Sequence, residues 1–321
     1  MSVLNQKFIV KEESKTKRLD VFLSEKLGIS RSQVEKMIKK GEVLINNRVA
    51  TKAGAKLTSA YDITFQEVEE VKNEVQIEKE KNFEVKIIKE DDDYLVVEKP
   101  AGLLVHQTDA LEKITMAGIL LEKYPDIKDV GEGKNRPGIV HRLDKEASGL
   151  LVVARNQKMY EHLKKQFQNR EIEKNYKVLV YGIIDAEHDI IDFEIDRGRD
   201  GRMVSRPVLK HLTLRTVRDI QDGKEAKTEF WVEKKFSRFS FLKVKIYSGR
   251  THQIRVHMFA YNHPVVGDTI YFNKSLIKKQ DELGRLFLHS AKLGFRSLSG
   301  EEVVFESQLP QELQNFLNKL R

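Results

Sequence analysis

The sequence has no cysteine. That excludes disulfides, thiolate chemistry and cysteine-ligated zinc. It has no apolar run of about eighteen residues, so no segment reads as a membrane-spanning helix. The first residues, from Met1 to Lys15, lack the apolar centre of a secretory signal. These absences make the cytoplasm the expected compartment and leave no membrane partner. No internal repeat is visible, which sets repeat architectures aside.

What is present is charge. Of 321 residues, 33% are charged and 40% hydrophobic, and the net charge is +8 with a pI near 9.2. The length suggests two domains, or one with an appendage, and is ample for a sizeable core. A basic balance favours an anionic partner such as nucleic acid. Part of the excess is local: residues 14–66 hold eleven Lys and Arg against five Asp and Glu. Here Leu19, Phe22, Leu23 and Leu27 recur at helical spacing. A second helix is expected from Ser30 to Lys40, with Ser32 and Glu35 as a capping box and Gly41 as its stop. A strand over Glu42–Asn46 and an Asn46-Asn47 turn follow. On the second helix Arg31, Lys36, Lys39 and Lys40 can face solvent together, either as a binding face or as an ordinary solvated one. Residues 67–82 are charged and free of aromatics, and read as a linker to a second domain spanning 83–321.

In the second region strands are expected at Val85–Ile88, Tyr94–Val97, Tyr176–Val180, Ile190–Ile195, Lys227–Val232 and Phe239–Ile246. Phe287 and Leu288 read as a further extended piece. Helices are expected within 111–136, after an Asn156 cap, over Thr251–Tyr261 and over Gln311–Leu320. The helix after Asn156 carries Met159, Tyr160, Leu163 and Phe167 on one face. Strands dominate and helices intervene without strict alternation. That is the α+β class, with a mixed, largely antiparallel sheet.

The stretch from His141 to Asn156 stands out. Its first part, His141-Arg142-Leu143-Asp144-Lys145-Glu146-Ala147-Ser148-Gly149, is a short polar loop. Its second part, Leu150 to Ala154, is an apolar run of strand length that reads as buried on both faces. A loop fixed to a buried strand is a stiff mount for a reactive group, and Asp144 is the candidate. Taken alone, Asp144 reads more readily as a turn residue or helix cap, which is what most loop aspartates are. His141, His252 and His257 match no strong zinc spacing, so no metal is expected.

Residues 18–57 resemble the S4-type RNA-binding domain, a small helix-helix-strand module. Four further stretches resemble the RluA-type family of pseudouridine synthases, in order and spacing. They are Asp93 to His106 with its Lys99-Pro100-Ala101-Gly102, the central His141 to Ala154, Lys174 to Gly182, and Ser248 to His257 continued by His263-Pro264-Val265-Val266-Gly267-Asp268.

The resemblance implies an isomerase that detaches uracil from ribose C1′ in RNA, turns it and rejoins it through C5, with no cofactor. It implies that Asp144 is the essential aspartate and that Arg255 pairs with it. It further implies that Tyr176 lies beside the target base and that Arg142 fills the gap left by a flipped nucleotide. The four cations of the second helix then become RNA contacts. The expected partner is RNA, ribosomal RNA of the large subunit ahead of transfer RNA, and the expected state is a monomer. Two positions depart from the family pattern: Ala147 stands where Thr is usual, and Gln107 where Pro is common. The Arg- and Lys-rich stretch 197–225 is longer than is typical and is open between an extra RNA contact and a basic loop.

Overall fold

The computed structural model describes residues 7–10, 16–58, 61–65, 83–107, 114–133, 136–198, 201–206, 223–272 and 283–321, apart from the side chains of Ser32, Lys36, Lys39 and Arg206. The chain forms two compact units, Met1–Lys81 and Asn82–Arg321. The stretch read as a linker, 67–82, lies outside the described residues, as do most of 197–225 and the side chains of Lys36 and Lys39.

In the first unit, β1 (Phe8–Ile9), α1 (Leu19–Leu27), α2 (Arg31–Lys39), β2 (Val43–Ile45), β3 (Arg48–Val49) and β4 (Asp62–Phe65) follow in order. The strands form an antiparallel sheet in the order β1-β4-β2-β3. Leu19, Phe22 and Leu23 of α1 meet Val34 and Ile38 of α2 and Val43 and Ile63 of the sheet in one core. Gly28, at φ +67, closes α1 with its N–H on the Ser24 carbonyl, the left-handed step that glycine takes freely. The chain then restarts at once. The Ser30 amide donates to Gln33 Oε1 at 2.8 Å, and the Gln33 amide to Ser30 Oγ at 3.3 Å. The capping box is therefore Ser30 with Gln33 and not Ser32 with Glu35. The helix begins one register earlier, so Ser32 falls inside its first turn. Asn46 and Asn47 both take positive φ in the tight turn between β2 and β3.

One buried charge ties the two helices together. The Asp20 carboxylate accepts from Arg18 Nε and Nη2, both at 2.9 Å, and from Arg31 Nη2 at 2.8 Å. The Arg18 hydrogen bond outweighs burial, and with Arg31 it lowers the Asp20 pKa to about 2.

The second unit carries β5 (Lys86–Glu90), β6 (Tyr94–Lys99), α3 (Met116–Lys123), β7 (Ser148–Ala154), α4 (Gln157–Gln168), β8 (Glu173–Tyr181), β9 (His188–Ile191), β10 (Glu194–Arg197), β11 (Met203–Arg206), β12 (Thr228–Lys235), β13 (Phe239–Ile246), α5 (Gln253–Ala260), β14 (Leu288–Arg296), β15 (Glu302–Glu306) and α6 (Gln311–Lys319). Nine strands form one sheet in the order β5-β6-β7-β14-β8-β13-β12-β9, with β15 beside β14. Its pairings are antiparallel except that of β7 with β14. The α+β class and the mixed, largely antiparallel sheet are as expected.

Strand β7 is buried along its whole length. Leu151 and Val153 enter the core shared with α3 and α5, while Leu150 and Val152 enter the core shared with α4. Asn156 caps α4 by accepting the Met159 amide at 2.9 Å. The run Ile190–Ile195, expected as one strand, is divided. Strand β9 pairs with β12, whereas β10 leaves the sheet to pair with β11. At the break, the Phe193 carbonyl lies 2.9 Å from Nε2 of His257, a partner outside the ladder.

Removing the Asp20 charge should loosen this first unit. Its depressed pKa means that its stabilisation is full above the unfolded value near 4 and is lost as pH falls toward 2. Asp20→Asn should cost roughly 1–3 kcal/mol at pH 7, read as lost hydrogen-exchange protection across α1 and α2. The variant and wild type should converge in acid.

Candidate active site

The loop 141–147 is fixed from both sides. Lys99, fully buried at the end of β6, donates from Nζ to the carbonyls of Pro100 and Leu103 at 2.8 Å and of Lys145 at 3.1 Å. Burial, with Arg285 adding to it, pushes this ammonium down to about 7. Three carbonyl acceptors call on all three of its protons. The Lys145 carbonyl also accepts the Gly102 amide at 2.7 Å. Asp144 sits between these anchors, with its side chain 16% exposed.

Gly149 ends the loop at φ +116. A Cβ there would lie 2.3 Å from the Ser290 carbonyl oxygen, so no side chain fits where β7 meets β14. The neighbouring Ser148 hydroxyl accepts from Arg285 Nη2 at 2.7 Å and lies 2.9 Å from Nδ1 of His289. Arg285 in turn pairs with Glu312 of α6.

Arg255 comes from α5, whose residues Gln253 to Met258 are all buried. Its Nη1 donates to Asp144 Oδ2 at 3.2 Å. Its Nε and Nη2 take both oxygens of Asp268 at 2.6 and 2.9 Å. Asp268 Oδ1 also accepts the amides of Ile270 and Tyr271, at 2.8 and 2.9 Å. Burial works against the Arg255 charge, but the Asp268 and Asp144 carboxylates outweigh it and raise its pKa. The guanidinium therefore stays charged, with two donors fixed on Asp268 and Nη1 left for Asp144.

Tyr176 of β8 is buried, and its ring forms a wall of the same cleft. Burial first, then Asp144, raise its phenol, so it stays protonated. Arg142 is exposed on the rim, with no ion-pair partner among the described residues. The structure thus brings Asp144, Arg255 and Tyr176 together and places Arg142 at the edge. Arg31 and Lys40 belong to the first unit. Arg31 is engaged by Asp20 while 57% of its side chain stays exposed, and Lys40 lies 3.8 Å from Glu42.

The cleft encloses about 380 Å³ and, among the described residues, is lined by Arg136, Arg142, Arg170, Lys174 and Arg250 against a single carboxylate, Asp144. That size suits a small-ligand site, which is roughly 300–1,000 Å³. Its charge suits a phosphate-bearing ligand. A glycosidase pairs two catalytic carboxylates across the bond, and the lining supplies one. Two of the three histidines, His141 and His257, are spent on structure. His141 Nε2 accepts the Val152 amide at 3.1 Å, and burial, then Lys174, push its pKa to about 3. Burial pushes His257, held between Thr228 and Phe193, to about 4. Among the described residues no group of three or more His, Asp or Glu could hold a metal ion.

Sequence reasoning placed Lys99 and Asp268 inside the matched stretches without giving either a role, and did not single out Tyr271 or Arg285. The available signal for Asp268 is Gly267 before it. A Cβ at Gly267 would lie 1.8 Å from the Arg285 carbonyl oxygen, at φ +77.

Fold and site define a domain whose basic cleft surrounds Asp144 and suits a phosphate-bearing ligand. A family model described as RNA pseudouridylate synthase matches residues 93–260, and an S4 domain model matches residues 17–63. A protein of Aquifex aeolicus named as an uncharacterized RNA pseudouridine synthase is 38% identical over 95% of this chain and 94% of its own. The ribosomal large subunit pseudouridine synthase D of Vibrio cholerae is 32% identical over 97% and 94%. Among solved structures, human RNA pseudouridylate synthase domain containing 1 superposes with a TM-score of 0.56 at 26% identity, over 71% of this chain and 84% of that one. The chain belongs to the RNA pseudouridine synthases, isomerases that convert uridine in RNA to pseudouridine.

Asp268→Asn should reach the site without touching the cleft. It leaves the buried Arg255 short of an anionic partner, a loss of roughly 3–5 kcal/mol. Thermal denaturation should show the fall, and tritium release from RNA labelled at uridine C5 should fall with it.

Proposed function

We propose that this enzyme isomerises uridines of large-subunit ribosomal RNA through Asp144, on a nucleotide turned out of its helix. The observation that carries this reading is the lone carboxylate of the cleft, tied to a buried arginine and ringed by cations. The named function of the Vibrio cholerae relative supports the substrate. Asp144, ionised, attacks ribose C1′ or removes a ribose proton, and the bond from C1′ to N1 of uracil breaks. The freed base turns against the Tyr176 ring and C5 joins C1′ as the bond from C1′ to Asp144 breaks or, in the second route, as the ribose takes its proton back; N1 of the base takes up a proton from water and C5 releases one to water. Tyr176, a protonated phenol, serves as a stacking wall, and its hydroxyl assists at C5 only if a base takes its proton first. A base inside a helix is out of reach of a carboxylate sunk in a cleft, so the nucleotide is extruded. Arg142, on the rim and without an ion-pair partner among the described residues, occupies the gap it leaves.

Residues 14–66 act as a separate grip on the RNA backbone through Arg31, Lys36, Lys39 and Lys40, joined by residues 67–82 to the catalytic domain at 83–321. The S4 match and the local basic surplus support this division.

Asp144→Asn keeps the shape of the side chain and removes its charge. Tritium release from C5-labelled ribosomal RNA should fall by ~10³-fold or more, with RNA affinity nearly unchanged. Activity within tenfold of wild type would remove Asp144 from the chemistry. Replacing Lys36, Lys39 and Lys40 together by Gln should instead weaken RNA binding. It should flatten the slope of log K against log salt by about two units, with catalysis at saturating RNA preserved.

A further inference from the structure

Tyr271 sits where the β10–β11 hairpin, α5 and the cleft meet. The Met203 amide, at the start of β11, donates to its hydroxyl oxygen at 3.1 Å. The same oxygen lies 3.0 Å from Nδ1 of His252. The ring faces the Arg255 guanidinium at 5.3 Å. Burial raises the Tyr271 pKa, so the phenol keeps its proton, and a hydroxyl has one to give.

Met203 brings its own hydrogen and accepts none. The remaining acceptor is Nδ1 of His252. The reverse arrangement, with Nδ1–H donating to the hydroxyl, would leave a buried O–H without an acceptor, a loss of about 1–3 kcal/mol. Burial and four charged groups bear on the charge of His252. Burial comes first, and with Arg255 it disfavours the imidazolium; Asp144, Asp268 and Glu146 favour it; the balance lowers the pKa. The ring is neutral, Nδ1 is occupied, and the hydrogen is on Nε2.

His252 lines the cleft with Asp144 and Tyr176. It does so at φ 55 and ψ 23, a left-handed conformation. For a residue with a Cβ this costs roughly 1–2 kcal/mol, and such outliers point to function. The rim cations already meet phosphate. A neutral N–H beside Asp144 and Tyr176 suits an uncharged acceptor.

We propose that His252 is a further substrate-contacting residue, its Nε2–H donating to a carbonyl oxygen of the target uracil, with Tyr271 as the positioning residue that fixes the ring's tautomer. This rests on Asp144 as the reactive group. The contact holds the base by its edge while Tyr176 holds it by its face. Because the Met203 amide takes one side of the Tyr271 hydroxyl, the β10–β11 hairpin, whose second strand lies within the basic 197–225 stretch, bears on the tautomer of His252.

The test uses the full chain. His252→Gly accepts the left-handed backbone freely, so a loss in that variant reports the ring and not strain. Single-turnover tritium release from a C5-labelled large-subunit ribosomal RNA transcript should fall about tenfold or more, with RNA affinity within twofold of wild type. His252→Asn also tolerates this conformation and keeps an N–H donor, so it should recover part of the rate. Tyr271→Phe should give an intermediate loss. Nitrogen-15 NMR of labelled histidine, which needs no RNA, should show Nδ1 unprotonated and Nε2 protonated in wild type, and a tautomer mixture in Tyr271→Phe. Rates for His252→Gly within twofold of wild type, or a protonated Nδ1 in wild type, would overturn the proposal. An active Asp144→Asn control would instead strike the reading of Asp144, so the two failures are distinguishable.

Discussion

The active centre depends on one guanidinium shared between two carboxylates. Arg255 is buried, and a buried cation without partners is among the most costly things a fold can contain. Asp268 answers most of that cost. Its two oxygens take two of the guanidinium donors and two backbone amides besides. The pair is thereby locked as a rigid fork, and its remaining donor points at Asp144. The Asp144 carboxylate thus meets a cation whose position it does not have to fix. For the same reason Arg255 is not a clean probe of catalysis. Replacing it with an apolar residue leaves Asp268 buried and unpaired, so lost activity and lost stability arrive together.

The backbone around that fork allows little slack. Two glycines stand where chains approach too closely for any Cβ, Gly149 against Ser290 and Gly267 against Arg285. Each lies beside a site element, the first after the Asp144 loop and the second before Asp268. Lys99 gathers three carbonyls from the turn after β6 and from the loop itself. Arg285 links Ser148, at the start of β7, to Glu312 of the closing helix. Preorganisation at this carboxylate is therefore the sum of contacts made by residues far apart in sequence.

That distance explains what could be read from the sequence and what could not. Strand β7 was legible because a continuous apolar run buried on both faces leaves its mark in composition. The Asn156 cap was legible because its signal is local. The cap of α2 was misplaced for an equally local reason. Two overlapping patterns, Ser30 with Gln33 and Ser32 with Glu35, both satisfy the capping rule, and which serine takes the extended backbone is decided by the left-handed Gly28 just upstream. The run Ile190–Ile195 has the right residues for one strand, but its two halves find different partners. Arg255 carried no signal of its own in the sequence, since α5 is buried nearly all round and has no amphipathic pattern to mark it. Only the resemblance placed it beside Asp144. Asp268 and Tyr271 were silent because their roles exist only once α5 lies against the turn that follows it.

The polar groups around the cleft divide by charge state. His141, His257 and His289 are driven well below their ordinary pKa by burial, so they act as neutral hydrogen-bonding spacers at physiological pH. Tyr176, Tyr271 and Tyr261 are driven the other way and keep their protons. The field felt by a ligand is then set chiefly by the arginines on one side and the two carboxylates bridged by Arg255 on the other, while burial pushes the Lys174 ammonium down to about 8. Such a cleft draws in a polyanion without committing a cation to each step of the chemistry. The neutral groups take over at short range, where hydrogen bonding and shape distinguish a base from a phosphate. Long-range attraction and short-range recognition are thus carried by different side chains.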